Sequence, residues 1–256
     1  MPLPLYLACG PGETPLDRDA GRRLCRMGYR LTDGGWALLA PEPPELVPPD
    51  WILLPGDPMP EESDAPVTAA LLARCCAARS CGLLADFPAA PDERSAALAA
   101  ALGAAFSAQG SVLVLPEAYA ALAPKSLVLI SSAISGGVFD ERLREAAEAY
   151  PGRCVLELEP VCALFPLPCA DGCGRPLAAP ALCALRERGR EHFSPELLCR
   201  YIALEENETL RIALFDTVET LSEKRARAEA AGFLAAVGLQ QELRRLPAGG
   251  QSKSAL

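Results

Sequence analysis

The sequence predicts an α/β chain folded as a (β/α)8 TIM-type barrel, with a β-hairpin inserted before the last helix. Three observations lead there. Short β-branched or leucine-rich runs alternate with helical stretches, the signature of β/α units around a parallel sheet. There are eight such runs, and the 256-residue length is close to the roughly 250 residues of one such barrel. Proline, at 25 residues, is about twice its usual ~5% and falls mainly at strand ends and helix starts, where many β/α junctions require it.

The expected strands are Leu3 to Ala8, Tyr29 to Thr32, Trp51 to Leu54, Cys81 to Phe87, Ser111 to Leu115, Ser126 to Ser132, Arg153 to Glu159 and Phe233 to Leu239. Helices fill the gaps. Thr14-Pro15 opens one that runs through about Met27, with proline tolerated in the first turn. Asp64-Ala-Pro66 precedes a helix over Val67 to Ala78, and Pro91-Asp92 precedes one over Glu93 to Ala108. Phe139 to Tyr150 carries Leu143, Ala146 and Ala147 at helical spacing and stops at Pro151-Gly152. The last helix opens near Thr220-Leu-Ser222 and ends at Gly232. Before it, Arg200 to Leu204 and Leu210 to Phe215 flank a polar turn and read as a hairpin, an insertion at about 198–216. Pro160 to Leu198 reads as a long loop, with a helix start at Ser194-Pro195. The expected organisation is one barrel over 1–245 and a flexible tail over 246–256. A doubly wound sheet is disfavoured because Gly10-Pro11-Gly12 makes a poor phosphate loop: proline removes an amide donor.

Composition excludes several functions. A formal charge of -9 repels phosphate backbones and anionic lipid, so neither nucleic acid nor a membrane is an expected partner. No run reaches the ~18 apolar residues needed to span a bilayer, and the opening MPLPLYLACGPGE lacks a charged n-region. The expected location is therefore the cytoplasm. Eleven cysteines in scattered positions read as reduced, mostly buried thiols. Cys169, Cys173, Cys183 and His192 have the wrong spacing for paired zinc knuckles, so no metal and no cofactor are expected. A Gly-x-Ser-x-Gly nucleophile motif is also absent.

The fourth strand reads Cys81-Gly-Leu-Leu-Ala-Asp-Phe-Pro88. It resembles the D-G-x-D-x-D-x-E strand of glycoside hydrolase family 18, which includes chitinases and spore-cortex glucosaminidases. The glycine falls on Gly82 and the third aspartate on Asp86; the first aspartate falls on Cys81, the second on Leu84 and the glutamate on Pro88. Phe215-Asp216, with Lys224 soon after and Gly232-Phe233 beyond, is similar to the family's late hairpin, helix start and final strand. The resemblance covers about residues 50 to 240. It implies a barrel in which the substrate's acetamido oxygen attacks the anomeric carbon, the glutamate protonates the leaving oxygen and the aspartate orients the acetamido group. Pro88 donates no proton, and general acid catalysis is worth about 10²–10⁴-fold, or roughly 3–5 kcal/mol. The family's final-strand tryptophan also has no counterpart in Gly232 to Gly238, and seven Phe, two Trp and five Tyr are few rings for a hexose cleft.

Side chains at the C-terminal strand ends converge on one mouth. Asp86, Glu117 and Glu159 are the catalytic candidates, and Asp57, Asp86, Glu117, Tyr119, Ser131 and Glu159 the ligand-binding candidates. Glu157 shares a strand face with Glu159, and of the two Glu159 is the candidate. Clustered carboxylates raise one another's pKa and supply both an acid and a base. Three functions follow. The first is a barrel without the family's acid that binds a saccharide or other small ligand with little or no catalysis. The second is a divergent glycosidase with the acid moved to Glu117 or Glu159, and the third is a structural or interaction protein without a ligand pocket.

Overall fold

A computed structural model describes residues 3–14, 22–32, 35–38, 45–56, 64–169, 174–206 and 209–247. In chain order the elements are β1 (Leu5–Cys9), β2 (Arg22–Met27), β3 (Tyr29–Thr32), β4 (Gly35–Leu38), β5 (Trp51–Pro55), α1 (Ala65–Arg79), β6 (Gly82–Asp86), α2 (Glu93–Gln109), β7 (Leu113–Pro116), β8 (Leu127–Ser131), α3 (Phe139–Ala149) and β9 (Cys154–Glu157). They continue with β10 (Cys162–Leu167), β11 (Arg175–Pro176), α4 (Ala179–Arg188), β12 (Glu191–Ser194), β13 (Cys199–Glu206), β14 (Thr209–Phe215), α5 (Val218–Ala230), β15 (Ala235–Leu239) and α6 (Gln240–Leu243). Eight of the strands close into a barrel in the order β1-β15-β9-β8-β7-β6-β5-β2, and every pairing within it is parallel. The α/β TIM-type fold expected from the sequence is present.

Alternation along the strands sorts the core into layers. Inward positions fill the lumen with Tyr6, Ala8, Cys25, Trp51, Leu53, Leu84, Val114, Leu129, Val155, Ala235 and Val237. Outward positions such as Ile52, Leu54, Leu83 and Leu113 pack beneath Leu72, Leu98, Leu102 and Phe106 of α1 and α2. Leu5, Val128, Leu156 and Ala236 do the same beneath Phe139, Leu143, Leu221 and Ala228 of α3 and α5. The helix starts behave as their sequences require. Asp64 accepts from the Val67 N–H, while Asp92 with Ser95 and Thr217 with Thr220 form reciprocal capping boxes.

Four expectations are corrected. The helix foreseen from Thr14-Pro15 to Met27 is not formed at its C-terminal half: residues 15–21 lie outside the described residues, and Arg22–Met27 is β2, the second barrel strand. Pairing on both sides decides it, because Leu5 to Cys9 and Trp51 to Leu53 each offer a ladder. Two of the arginines that make this segment look helical are accommodated at its start, where Arg22 Nη2 donates to the Leu246 carbonyl at 2.6 Å and Arg23 Nη1 to Tyr6 Oη at 3.1 Å. Tyr29 to Thr32, expected in the barrel, instead pairs antiparallel with β4 as a separate two-stranded ribbon.

The hairpin before the last helix is the centre of a larger unit, and the loop expected over Pro160 to Leu198 supplies the rest. Strands β11-β10-β14-β13-β12 form a five-stranded antiparallel sheet. Leu182 and Leu185 of α4 cover its buried Ile202, Ala213 and Phe215. A two-stranded hairpin with such apolar residues is marginal alone and must have its edges and face covered. No helix starts at Ser194-Pro195: Ser194 ends β12, and its Oγ accepts from the Leu197 N–H at 3.2 Å in a turn. Leu246 is buried.

Candidate functional site

The mouth of the barrel follows from the two-residue alternation. Leu84 and Val155 face the lumen, so Asp86 and Glu157, each two residues further, face the opening at the C-terminal strand ends. Pairing sets their neighbours, with Pro55 beside Asp86 and Ser131 beside Glu157. A cavity of about 210 Å³ opens there, with Asp86, Glu157, Glu159 and Glu242 around a floor of Leu53, Leu84, Leu129 and Val237. No aromatic ring is among its described lining residues.

Two glycines bring backbone close to this point. A Cβ on Gly56 would lie 2.6 Å from Phe87 Cδ1 and 2.7 Å from the Asp86 carbonyl oxygen, and the Gly56 N–H donates to that same oxygen at 2.8 Å. A Cβ on Gly238 would meet the Leu158 carbonyl at 2.4 Å. The last strand therefore passes directly against the segment that carries Glu159.

None of the four carboxylates has a hydrogen bond or ion pair from a described residue. Glu157 is pushed up to about 7 by burial first, then by the negative charges of Glu159 and Asp86. Burial raises the Asp86 carboxyl. Glu242 is raised by burial and then by Glu159. Near pH 7 Glu157 is thus divided between a form that can donate a proton and a form that can accept one. Among the described residues no group of three or more His, Cys, Asp or Glu side chains is arranged to hold a metal ion.

The remaining site candidates are distributed differently. Glu117 follows β7 on the outward parity and forms an ion pair with Arg142. Tyr119 has no exposed surface; its hydroxyl donates to the Pro88 carbonyl at 3.0 Å and lies 3.1 Å from Ser95 Oγ. Ser131 reaches the rim beside Glu157, its Oγ accepting from the Ala133 N–H at 3.1 Å. Asp57 and Cys173 lie outside the described residues. His192 stacks on Tyr201 on the insertion sheet, with ring centroids 5.2 Å apart. Sequence reasoning prefers Glu159 to Glu157 and misses Glu242. The alternation from Val155 was signal enough for Glu157, whereas Glu242 sits on a four-residue helix that no periodicity announces.

No family model matches the chain, and no curated protein matches it by sequence. Solved structures do match over nearly the whole chain. Human YKL-39, a pseudo-chitinase with retained chitooligosaccharide binding properties, superposes with a TM-score of 0.62 at 11% identity, covering 97% of each chain. The chain has the glycoside hydrolase family 18 barrel fold. The Bacillus cereus spore cortex-lytic enzyme SleL matches at a TM-score of 0.58 and 12% identity, over 95% of this chain and 73% of that one. A chitinase from Chromobacterium violaceum matches at 0.57 and 12%, over 92% and 93%.

The residues on which the sequence resemblance rests occupy defined places in the barrel. β6 is the fourth barrel strand, and it ends on Asp86. A Cβ on Gly82 would sit 2.6 Å from Trp51 Cδ1, so this glycine makes room for an indole in the lower lumen. Asp216 and Lys224 form a fully buried ion pair. That pair also supports the mouth: Lys224 Nζ donates to the Ser132 carbonyl at 3.2 Å, and Ser132 Oγ accepts from the Glu159 N–H at 3.1 Å.

Proposed function

We propose that this chain is a saccharide-binding barrel that has lost the family's catalytic acid and has little or no hydrolytic activity. The observation that carries the reading is the mouth itself: four carboxylates that no described residue pairs, around the strand ends of a family 18-type fold, with Pro88 two residues beyond Asp86 where that family places its acid. Sugar hydroxyls are suitable partners for such carboxylates, since hydrogen bonds to charged acceptors are stronger than neutral ones. The retained chitooligosaccharide binding of the structurally similar human pseudo-chitinase supports the same reading. A cavity of about 210 Å³ is below the roughly 300–1,000 Å³ of drug-sized pockets, so it suits one sugar ring rather than an extended chain.

A second reading rests on Glu157. A carboxyl held near 7 is suited to general acid catalysis at neutral pH, which would make the chain a divergent glycosidase acting on N-acetylglucosamine-containing glycans. A chromogenic N-acetylglucosaminide separates the two. The first reading expects no turnover above background. Turnover that Glu157→Gln or Asp86→Ala abolishes, with the fold unchanged by circular dichroism, would establish the second.

A further inference from the structure

The opposite end of the barrel holds a cavity of about 510 Å³, lined in part by Tyr6, Arg23, Trp51, Cys81, Gly82 and Gln109. Cys81 enters it from the start of β6, just after α1 ends. That end is a Schellman turn. Ser80 adopts the left-handed conformation at φ 52°, its N–H donating back to Ala77 and Cys76 carbonyls, and the Cys81 N–H donates to the Cys76 carbonyl at 3.0 Å. In this turn the side chains on either side of the 6→1 hydrogen bond meet, and here both are cysteines. The Cys76 thiol lies against that of Cys81 as a hydrogen-bond partner and is also 3.9 Å from the Gly82 carbonyl.

We propose that Cys81 and Cys76 form a peroxide-sensitive dithiol, with Cys81 as the reacting thiol at the cavity and Cys76 as the resolving thiol behind it. The Cys76 hydrogen bond holds the Cys81 thiol below its ordinary value and the Arg79 charge adds to this, against burial, while Cys76 itself is raised. The Cys81 thiolate attacks one oxygen of hydrogen peroxide, the O–O bond breaks, and after proton transfer water leaves a sulfenic acid. The Cys76 sulfur then attacks the Cys81 sulfur, the S–O bond breaks, and the departing hydroxyl takes up the Cys76 thiol proton and leaves as a second water. Two thiols and one peroxide thus give one disulfide and two waters. A backbone already closed by the 6→1 hydrogen bond brings both ends of that bridge together. Exposure alone predicts a different order, because among the described residues Cys183 is the exposed thiol and Cys75 is half-buried, whereas Cys76 and Cys81 are buried.

The test is exposure of the full chain to hydrogen peroxide, then alkylation of remaining thiols, trypsin digestion and mass spectrometry. Cleavage after Arg74, Arg79 and Arg94 places Cys75 and Cys76 in one peptide and Cys81 in another. The expected result is loss of both peptides' free forms, and appearance of a linked species two hydrogens lighter than their sum, before Cys183 is consumed. Cys75→Ser, on the helix surface, retains the link. Cys76→Ser abolishes it and leaves a Cys81 sulfenic acid trapped by dimedone. Consumption of Cys183 with both peptides still unlinked would overturn the proposal, as would loss of the link in Cys75→Ser. Both of these results come from the native chain or a surface variant, so they do not depend on the buried Cys76→Ser variant folding.

Discussion

Lys224 Nζ lies 2.8 Å from Asp216 Oδ2, and neither side chain has any exposed surface. The pair gathers three parts of the molecule. Asp216 accepts from the Val161 N–H at 2.9 Å and from Thr220 Oγ1 at 2.8 Å, while Lys224 also donates to the Ser132 carbonyl. The end of β8, the entry to the insertion sheet and the start of α5 therefore converge behind Glu159.

Removing one partner leaves a buried charge without compensation. Lys224→Met is expected to destabilise the fold by about 3–5 kcal/mol, read from denaturant unfolding. The double replacement Lys224→Met with Asp216→Leu is expected to cost less than the single one, because no orphan charge remains. A single variant as stable as the native chain would show that the pair does not hold these elements.

Glu157 makes stability fall as pH rises. Its folded value of about 7 lies above the ordinary 4.5, so between these values the folded state binds more protons than the unfolded chain and loses stability with increasing pH. The loss is complete above about 7 and amounts to at most about 3 kcal/mol. Glu157→Gln should flatten this part of the profile, measured as the thermal midpoint from pH 5 to pH 8. A native profile unchanged by the substitution would place the titrating group elsewhere.

Gly56→Ala tests the close approach beside Asp86. The new methyl would press on Phe87 and on the Asp86 carbonyl, costing about 1–3 kcal/mol as overpacking does. Ligand affinity should fall with it, because the displaced backbone carries the Asp86 carboxylate. Unaltered stability and affinity would mean that the mouth tolerates the shift.

Tyr119 and Glu117 should behave as structural residues. Tyr119→Phe removes the hydroxyl that reaches Pro88 and Ser95 and should cost about 1–2 kcal/mol of stability, with ligand affinity unchanged in calorimetry. Glu117→Gln weakens a partly exposed ion pair to Arg142 and should cost about 1 kcal/mol or less. A large loss of binding in either variant would return these residues to the site.

Much of the barrel was legible in the sequence because its strands are short apolar runs punctuated by proline, glycine and aspartate. Seven of the eight barrel strands carry this pattern; β2 does not, since Arg22, Arg23 and Arg26 hide a strand whose pairing comes from β1 and β5. The insertion was legible only as its central hairpin. Its outer strands β10, β11 and β12 contain proline or charge and exist because the hairpin's apolar face and edges need cover. At the mouth, Asp86 and Glu159 could be read from strand ends. The choice of Glu157 needed the inward parity of β9, and Glu242 needed the pairing of β15 with β9, which brings the residues after β15 beside those after the seventh barrel strand. Tyr119 misleads for the opposite reason: a polar ring after a strand end looks available, yet its hydroxyl is used to tie Pro88 to α2.

The most direct test is calorimetric titration of N-acetylglucosamine and its tetramer into the native chain and into Asp86→Ala at pH 6. The native chain should bind with one site per molecule, and Asp86→Ala should weaken binding about tenfold or more, the loss of a charge-assisted hydrogen bond. Absence of binding to the native chain, or equal affinity in the variant, would contradict a saccharide site at these carboxylates.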